Sequence, residues 1–349
     1  MGLVNKRSEL VFIYDIKDAN PNGDPLDSNK PRIDEETGIN IVTDVRFKRT
    51  IRDYLHDYKG FNGENGKDIF VREIKYDLES IQDAKMRALD FVYPNENTTD
   101  EHKTVIENFM NKKIKKEEFE IIKQNVSENL LNKAIDVRLF GATVPFEIKR
   151  SHFSDYDKDI TSSITFTGPV QFQMGRSLHS VEIKYIKGTG AFASKAGSQQ
   201  KTFREEYILP YSLIGFYGII NENAAAITKL TEEDVNLLIE GMWYGTKNLI
   251  TRSKIGQTPR LLLKINYSEK NYFIGEVKNY IKLISDKRDE EIRDPEDYQL
   301  DFTELLTVLR EYKDKIESID YLIDSRLQII SNGEKLDLTT IEKFKEIRL

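Results

Sequence analysis

The side chains of this sequence that offer chemistry are clustered cations, and the chemistry they offer is the capture of phosphate. Lys30 and Arg32 stand in the polar run NPNGDPLDSNKPRID, Arg46, Lys48, Arg49 and Arg52 follow within seven residues, and Arg252, Ser253 and Lys254 open a short loop far down the chain. Phosphate binding needs several N–H donors at phosphate spacing, and Arg252, Ser253, Lys254 and the amides around Gly256 supply such a cradle. From Arg176 to Arg204 there are six Lys or Arg against one acid, Glu182.

Carboxylates form the second candidate set. Asp18, Asp24 and Asp27 lie in one proline-containing stretch, where they could hold Mg²⁺ or act on a substrate hydroxyl. The plainer alternative is that they make Asx-turns and brace the loop. No histidine or lysine accompanies them at a diagnostic spacing, and P-loop, GxSxG and HExxH sequences are absent. Cysteine is missing and the four histidines are scattered, which argues against a zinc enzyme, against disulfides and against any bound metal or cofactor.

Positioning these groups falls first to the elements around the proline-containing loop. Glu9 to Ile16 is a short apolar, β-branched and aromatic run that predicts a buried strand, and Thr43 to Tyr58 predicts a helix. In that helix Phe47, Ile51, Tyr54, Leu55 and Tyr58 repeat at core-facing spacing. Lys48, Arg49 and Arg52 then point the other way, either toward a ligand or into solvent. Between strand and helix, Pro21, Pro25 and Pro31 stiffen the loop without requiring a sheet, while Asn22 and Gly23 admit tight turns.

Further along, Ile69 to Tyr76 predicts a second strand, and residues 78–134 follow a mostly helical, charge-rich pattern that reads as an insertion. Leu139 to Ala142 predicts a helix end at Gly141. Ile164 to Gln173 predicts a strand with an irregularity at Gly168-Pro169. The glycine- and lysine-rich run 175–205 predicts a projecting hairpin or a loose surface loop. Tyr207 to Ile220 is the most strand-like segment, and Thr231 opens a helix toward Ile250 with three acids in its first turn. The loop TRSKIGQTPR and the strand Leu261 to Ile265 complete it. Residues 275–349 read as charge-rich helices around the strand-like IDYLIDS and RLQIIS.

Strand, helix, strands, helix, strand is the order of a split βαβ, ferredoxin-like α+β fold with long insertions. That order would bring the helix face, the 176–204 run and the TRSKIG loop together, a basic track suited to single-stranded RNA. The formal net charge of −7 hides this, because Asp286 to Asp301 alone holds eight acids. No run of about 20 apolar residues exists to span a membrane. The opening MGLVNKRSEL has no apolar core of a signal peptide and carries Lys6 where a myristoylation signal needs Ser or Thr, so a cytoplasmic protein without membrane contact is expected.

The runs NPNGDP, NKPRID, TGIN and VTDVRFKRTIRDY, with IDVRLFGA, TGPVQFQMGRS, ILPYSLIGFYG and TRSKIGQTPRLLLKI, resemble the Cas seven family, the backbone subunits of type I CRISPR Cascade complexes, most closely those of type I-B. The likeness covers residues 9–267 in order. It implies a hand-shaped RAMP protein. Residues 1–76 with 135–270 would be a modified RRM palm, 77–134 helical fingers, 175–205 a thumb within the palm, and 271–349 a C-terminal extension. It also implies a non-catalytic subunit of antiviral defence. Copies of it would oligomerise along the spacer of a crRNA, hold its phosphates, leave its bases to pair with target DNA, and meet other Cascade subunits.

Carried onto this sequence, Lys30, Arg32, Lys48, Arg49, Arg252, Ser253 and Lys254 match the family's basic positions. Arg46, Arg52, Arg138 in IDVRLFGA, and Gln171 and Arg176 in TGPVQFQMGRS complete the expected RNA-binding set. Phe192 and Lys195 join it by their place in the thumb. Related type III backbone subunits cleave target RNA with an aspartate after the first strand, which keeps a Mg²⁺-dependent nuclease using Asp18 or Asp24 as the alternative. A monomeric RNA chaperone on the same palm is a third reading.

Overall fold

Residues Ser8–Ala19 (β1) are buried at nine successive positions, a pattern that requires neighbours on both edges and cover on both faces. β1 is paired antiparallel with Lys201–Ile220 (β4) on one side and with Thr258–Tyr267 (β5) on the other. In the computed structural model, which describes residues 2–75, 80–193 and 201–349, these strands centre a ten-stranded sheet. Gly175–Ser180 (β2) pairs with β4, and Ile316–Ile323 (β6) pairs with β5. The order β5, β1, β4, β2 places the fourth, first, third and second strands of the split βαβ unit side by side, all antiparallel. Lys184–Ala193 (β3) pairs with the first half of β4 as a hairpin that continues off the end of the sheet path.

By its internal contacts the chain separates into two units. The larger comprises Lys6–Ile51, Gln171–Asn221 and Ile239–Leu349. The smaller comprises the residues up to Asn5, Arg52–Val170 and Glu222–Leu238.

In the larger unit the helix Asp44–Lys59 (α1) begins, and Thr43 caps it by accepting the Arg46 N–H on its hydroxyl at 3.2 Å. Phe47 is sandwiched between Phe12, at a ring-centroid distance of 5.3 Å, and Phe216, at 4.3 Å, so the apolar stripe of α1 lies on the sheet. Gly175 is needed there: a Cβ on it would fall 2.4 Å from the Phe216 ring. Phe47, Ile51, Tyr54 and Leu55 are buried as their spacing requires, while Tyr58, at the last turn, is exposed. The helix Glu232–Glu240 (α2) starts on a reciprocal cap, with Thr231 Oγ1 accepting from the Asp234 N–H and the Asp234 carboxylate accepting from the Thr231 N–H. It does not run evenly to Ile250. A π-turn over Gly241–Gly245 interrupts it, and Gly241 passes so near Ile51 that a Cβ would lie 2.9 Å away.

The C-terminal region departs most from the helical expectation. Thr303–Glu311 is a helix, but four short strands, Lys282–Ile284, Gln299–Asp301, Ile329–Ser331 and Glu334–Lys335, form a second sheet beside it. In the acidic run, Asp297 accepts the N–H groups of Arg293 and Asp294, so local carboxylate turns replace helical bonding.

In the smaller unit the helices Asp100–Met110 and Phe119–Lys133 share one core with a hairpin of Gly141–Ile148 and Ile160–Thr167. Ile122, Val126 and Leu130 meet Val144, Phe146 and Ile164 in it, so the helical segment is packed together with strands that follow it in sequence. The strand expected over 69–76 is not formed. The Phe70 and Val71 N–H groups donate to the buried Asp136 carboxylate at 2.7 and 3.0 Å, which leaves them unable to join a ladder. The strand expected over 164–173 is broken at Gly168-Pro169, where a Cβ on Gly168 would sit 2.2 Å from the Phe140 carbonyl oxygen. Residues 175–180 are likewise a strand of the sheet rather than part of an arm. Among the described residues no helix is long and apolar enough to cross a membrane.

Candidate nucleic-acid interface

Three sequence-distant basic segments of the larger unit meet at Asn20. The Asn20 N–H donates to the Ser253 carbonyl oxygen at 2.8 Å, and the Lys254 ammonium donates to the Asn20 carbonyl oxygen at 2.9 Å. These two bonds tie the loop after α2 to the loop after β1. Asn22 joins the second loop to α1, its Oδ1 accepting from both the N–H and the hydroxyl of Thr43, at 2.8 and 3.0 Å. Arg46, in the first turn of α1, acts electrostatically on Lys254, and burial together with that neighbouring charge depresses the Lys254 ammonium to about 8.

The proline-containing loop is itself a miniature hairpin, Gly23–Asp24 paired with Lys30–Pro31, where no sheet was expected. Ser28 and Asn29 take left-handed backbone at its tip. Asp24 accepts the Leu26 N–H at 3.0 Å as an Asx-turn and holds the Arg32 guanidinium at 2.6 Å. Lys30 pairs with Asp27 at 2.8 Å and its ammonium lies 5.5 Å from the centre of the Tyr207 ring. Tyr207 in turn faces Tyr185 across the β3–β4 ladder, ring centroids 5.1 Å apart, and Lys187 covers Tyr185. The next residue, Glu206, takes the Arg252 guanidinium at 2.8 Å. The root of the β3–β4 hairpin therefore joins the cation cluster and adds two aromatic rings to it.

The sequence reading missed Tyr185, Tyr207, Lys187 and Asn20. Tyr185 and Tyr207 carry a signal that was available, aromatic residues beside lysines in facing strands. Asn20 carried none, because its role depends on which loop lies beside it.

The remaining sequence-predicted residues are placed as follows. Lys48 bonds Asp44 at 3.1 Å and Gln171 at 3.3 Å, so those two predicted residues stand together. Arg49 is exposed on α1. Arg176 is exposed on β2, 3.4 Å from Asp34. Phe192 belongs to β3, but its side chain lies outside what the structure describes, and Lys195 lies outside the described residues altogether. Arg52 and Arg138 fall in the smaller unit, apart from the cluster. Arg52 donates to the fully buried Asp136 at 2.9 Å, and Arg138 grips Asp234 through two bonds of 2.9 and 2.7 Å. Among the described residues no group of three or more His, Cys, Asp or Glu stands together as a metal site.

The cluster can hold a polyanion at modest cost. Most of its cations are half-exposed and paired with exposed carboxylates, pairs worth roughly 0–1 kcal/mol that a phosphate can displace. Sheet, loops and rings together define an α+β protein whose scattered cations converge at one end of a sheet. The family model for CRISPR-associated protein Cas7 matches residues 6–303, and the chain belongs to that family. It is 33% identical to the "CRISPR-associated protein Cas7" of Haloferax volcanii over 342 residues, covering 95% of this chain and 90% of that one. In fold it is similar to a chain of a solved structure titled "CRISPR RNA-guided surveillance complex, pre-nicking". The TM-score there is 0.51 at 13% identity, with 98% of this chain and 96% of that chain covered.

Proposed function

We propose that this protein is a backbone subunit of a type I CRISPR surveillance complex. Several copies line the spacer of a crRNA and hold its phosphates while its bases pair with target DNA. The β5, β1, β4, β2 sheet is then the RRM-like palm, the β3–β4 hairpin the root of the thumb, and the helices of the smaller unit the fingers. The single observation that carries the reading is the bonding of Asn20 to Ser253 and Lys254, which gathers cations from three distant segments beside Tyr207 and Tyr185. Cations without base-edge readers suit a strand whose sequence is read by pairing rather than by protein. Asp24 is engaged by Arg32 and by the Leu26 N–H, which supports a bracing role and a non-catalytic subunit.

The test is binding of single-stranded RNAs of unrelated sequence across a salt series. Arg252→Ala should weaken all of them alike and flatten the salt slope by roughly one unit or less. A loss confined to some sequences, or no RNA binding by the wild type, overturns the reading. Cutting of complementary RNA with Mg²⁺ that disappears in Asp24→Ala would establish the nuclease alternative.

A further inference from the structure

Lys254 differs from the other cations of the cluster in having no counter-charge. Lys30 has Asp27, Arg32 has Asp24 and Arg252 has Glu206, whereas the half-buried ammonium of Lys254 meets only the neutral carbonyl of Asn20. The groups around it are unfavourable to a cation from every side. From α1 the charge of Arg46 bears on it; from β1 come Tyr14, a neutral phenol buried beside Arg46, and the carbonyl end of Lys17; its own loop adds Arg252, already paired with Glu206 of β4. Beside it the Asn20 Oδ1 is buried and lacks a hydrogen-bond partner. Two cations and no acid make a place that an anion completes.

We propose that this is a proton-coupled phosphate subsite, in which the RNA phosphate seated by Lys254 and Arg46 arrives together with one proton taken from the buffer by Lys254. The inference rests on the RNA-holding reading above and adds a regulator to it, the pH of the medium. The phosphate's negative charge supplies the missing counter-ion, so the protonated ammonium is favoured in the complex and disfavoured in the free protein. In the free protein the ammonium is depressed to about 8, and a bound phosphate returns it toward its ordinary range. Affinity is therefore full below that value and declines as pH rises through it.

The experiment is calorimetric titration of the full chain with single-stranded oligouridine at pH 8.5, in two buffers of unlike ionisation enthalpy and equal ionic strength. The expected result is uptake of about 0.7 proton per bound protein, with affinity falling about tenfold between pH 7 and pH 9. Lys254→Arg, charged throughout that range, should bind with no proton uptake and no such fall. Wild-type binding without proton exchange, or a Lys254→Arg protein as pH-dependent as the wild type, overturns this inference alone. Absence of RNA binding at both pH values overturns it together with the reading on which it rests.

Discussion

At the scale of single residues, charge type alone does not say which arginine meets a ligand. Arg52 and Arg252 look alike in sequence, yet Arg52 donates to a fully buried carboxylate and Arg252 to an exposed one. Asp136 is a hub, accepting from Arg52 and from the N–H groups of Phe70 and Val71. Removing one partner of such a buried pair leaves the other uncompensated, at a cost of about 3–5 kcal/mol. Arg52→Ala should therefore lower the urea midpoint of unfolding and leave the salt slope of RNA binding unchanged. A slope flattened as far as in Arg252→Ala would assign Arg52 to the phosphates instead. Tyr207 poses the opposite case, an aromatic ring with Lys30 beside it at the hairpin root. If bases stack there, Tyr207→Ala should weaken RNA binding by about tenfold without altering the salt slope, since stacking is worth about 1–3 kcal/mol per base. Unchanged affinity in an anisotropy titration would show that the ring serves only the ladder.

At the scale of elements, the acidic turn of the C-terminal region is pinned to the sheet by a neutral imidazole. His179, buried on β2, presents Nδ1 to the carbonyl oxygens of Ser180 and Asp289, at 2.9 and 3.1 Å, and Nε2 to the Leu213 N–H of β4 at 3.2 Å. The geometry requires hydrogen on Nδ1 and a lone pair on Nε2. Burial, the largest influence, holds the imidazole below its ordinary range even with Asp289 nearby. The unfolded chain takes a proton near pH 6.5 that the folded ring refuses, so this contribution to stability is complete above that pH and is lost as pH falls below it. Denaturant midpoints should drop between pH 7 and pH 5, and His179→Gln should flatten that dependence. An identical pH profile in the variant would place the acid sensitivity elsewhere. A second element-scale expectation concerns β2. Gly175→Ala should destabilise the protein, because the added methyl meets the Phe216 ring against which Phe47 stacks. Full retention of thermal stability would mean that β2 moves aside freely.

At the scale of the whole molecule, a formal net charge of −7 coexists with a basic site, because the cations are gathered and many of the acids lie in a separate run. Affinity for RNA should then report a few local charges, with a salt slope far below the number of lysines and arginines in the chain. As a backbone subunit the protein should form particles on RNA whose mass rises in steps of one protomer as the RNA is lengthened. A single protomer per RNA at every length, seen by native mass measurement, would favour a monomeric binder.

The sequence alone determined β1, the first helix, the long strand before Ile220 and the order of the split βαβ unit, because apolar periodicity and capping residues act locally. It also marked Lys30, Arg32, Arg46 and the Arg252 to Lys254 loop as phosphate ligands through their clustering. Only the tertiary structure decided which cations share a site, since Asn20 selects its neighbours by loop-to-loop hydrogen bonds that leave no spacing in the chain. It alone showed Arg52 and Arg138 turned to buried carboxylates, and residues 69–76 bound to Asp136 instead of a ladder. It likewise showed the acidic C-terminal run folded into carboxylate turns. In each case the deciding partner stands tens of residues away or competes with regular backbone bonding, and neither effect has a local pattern to read.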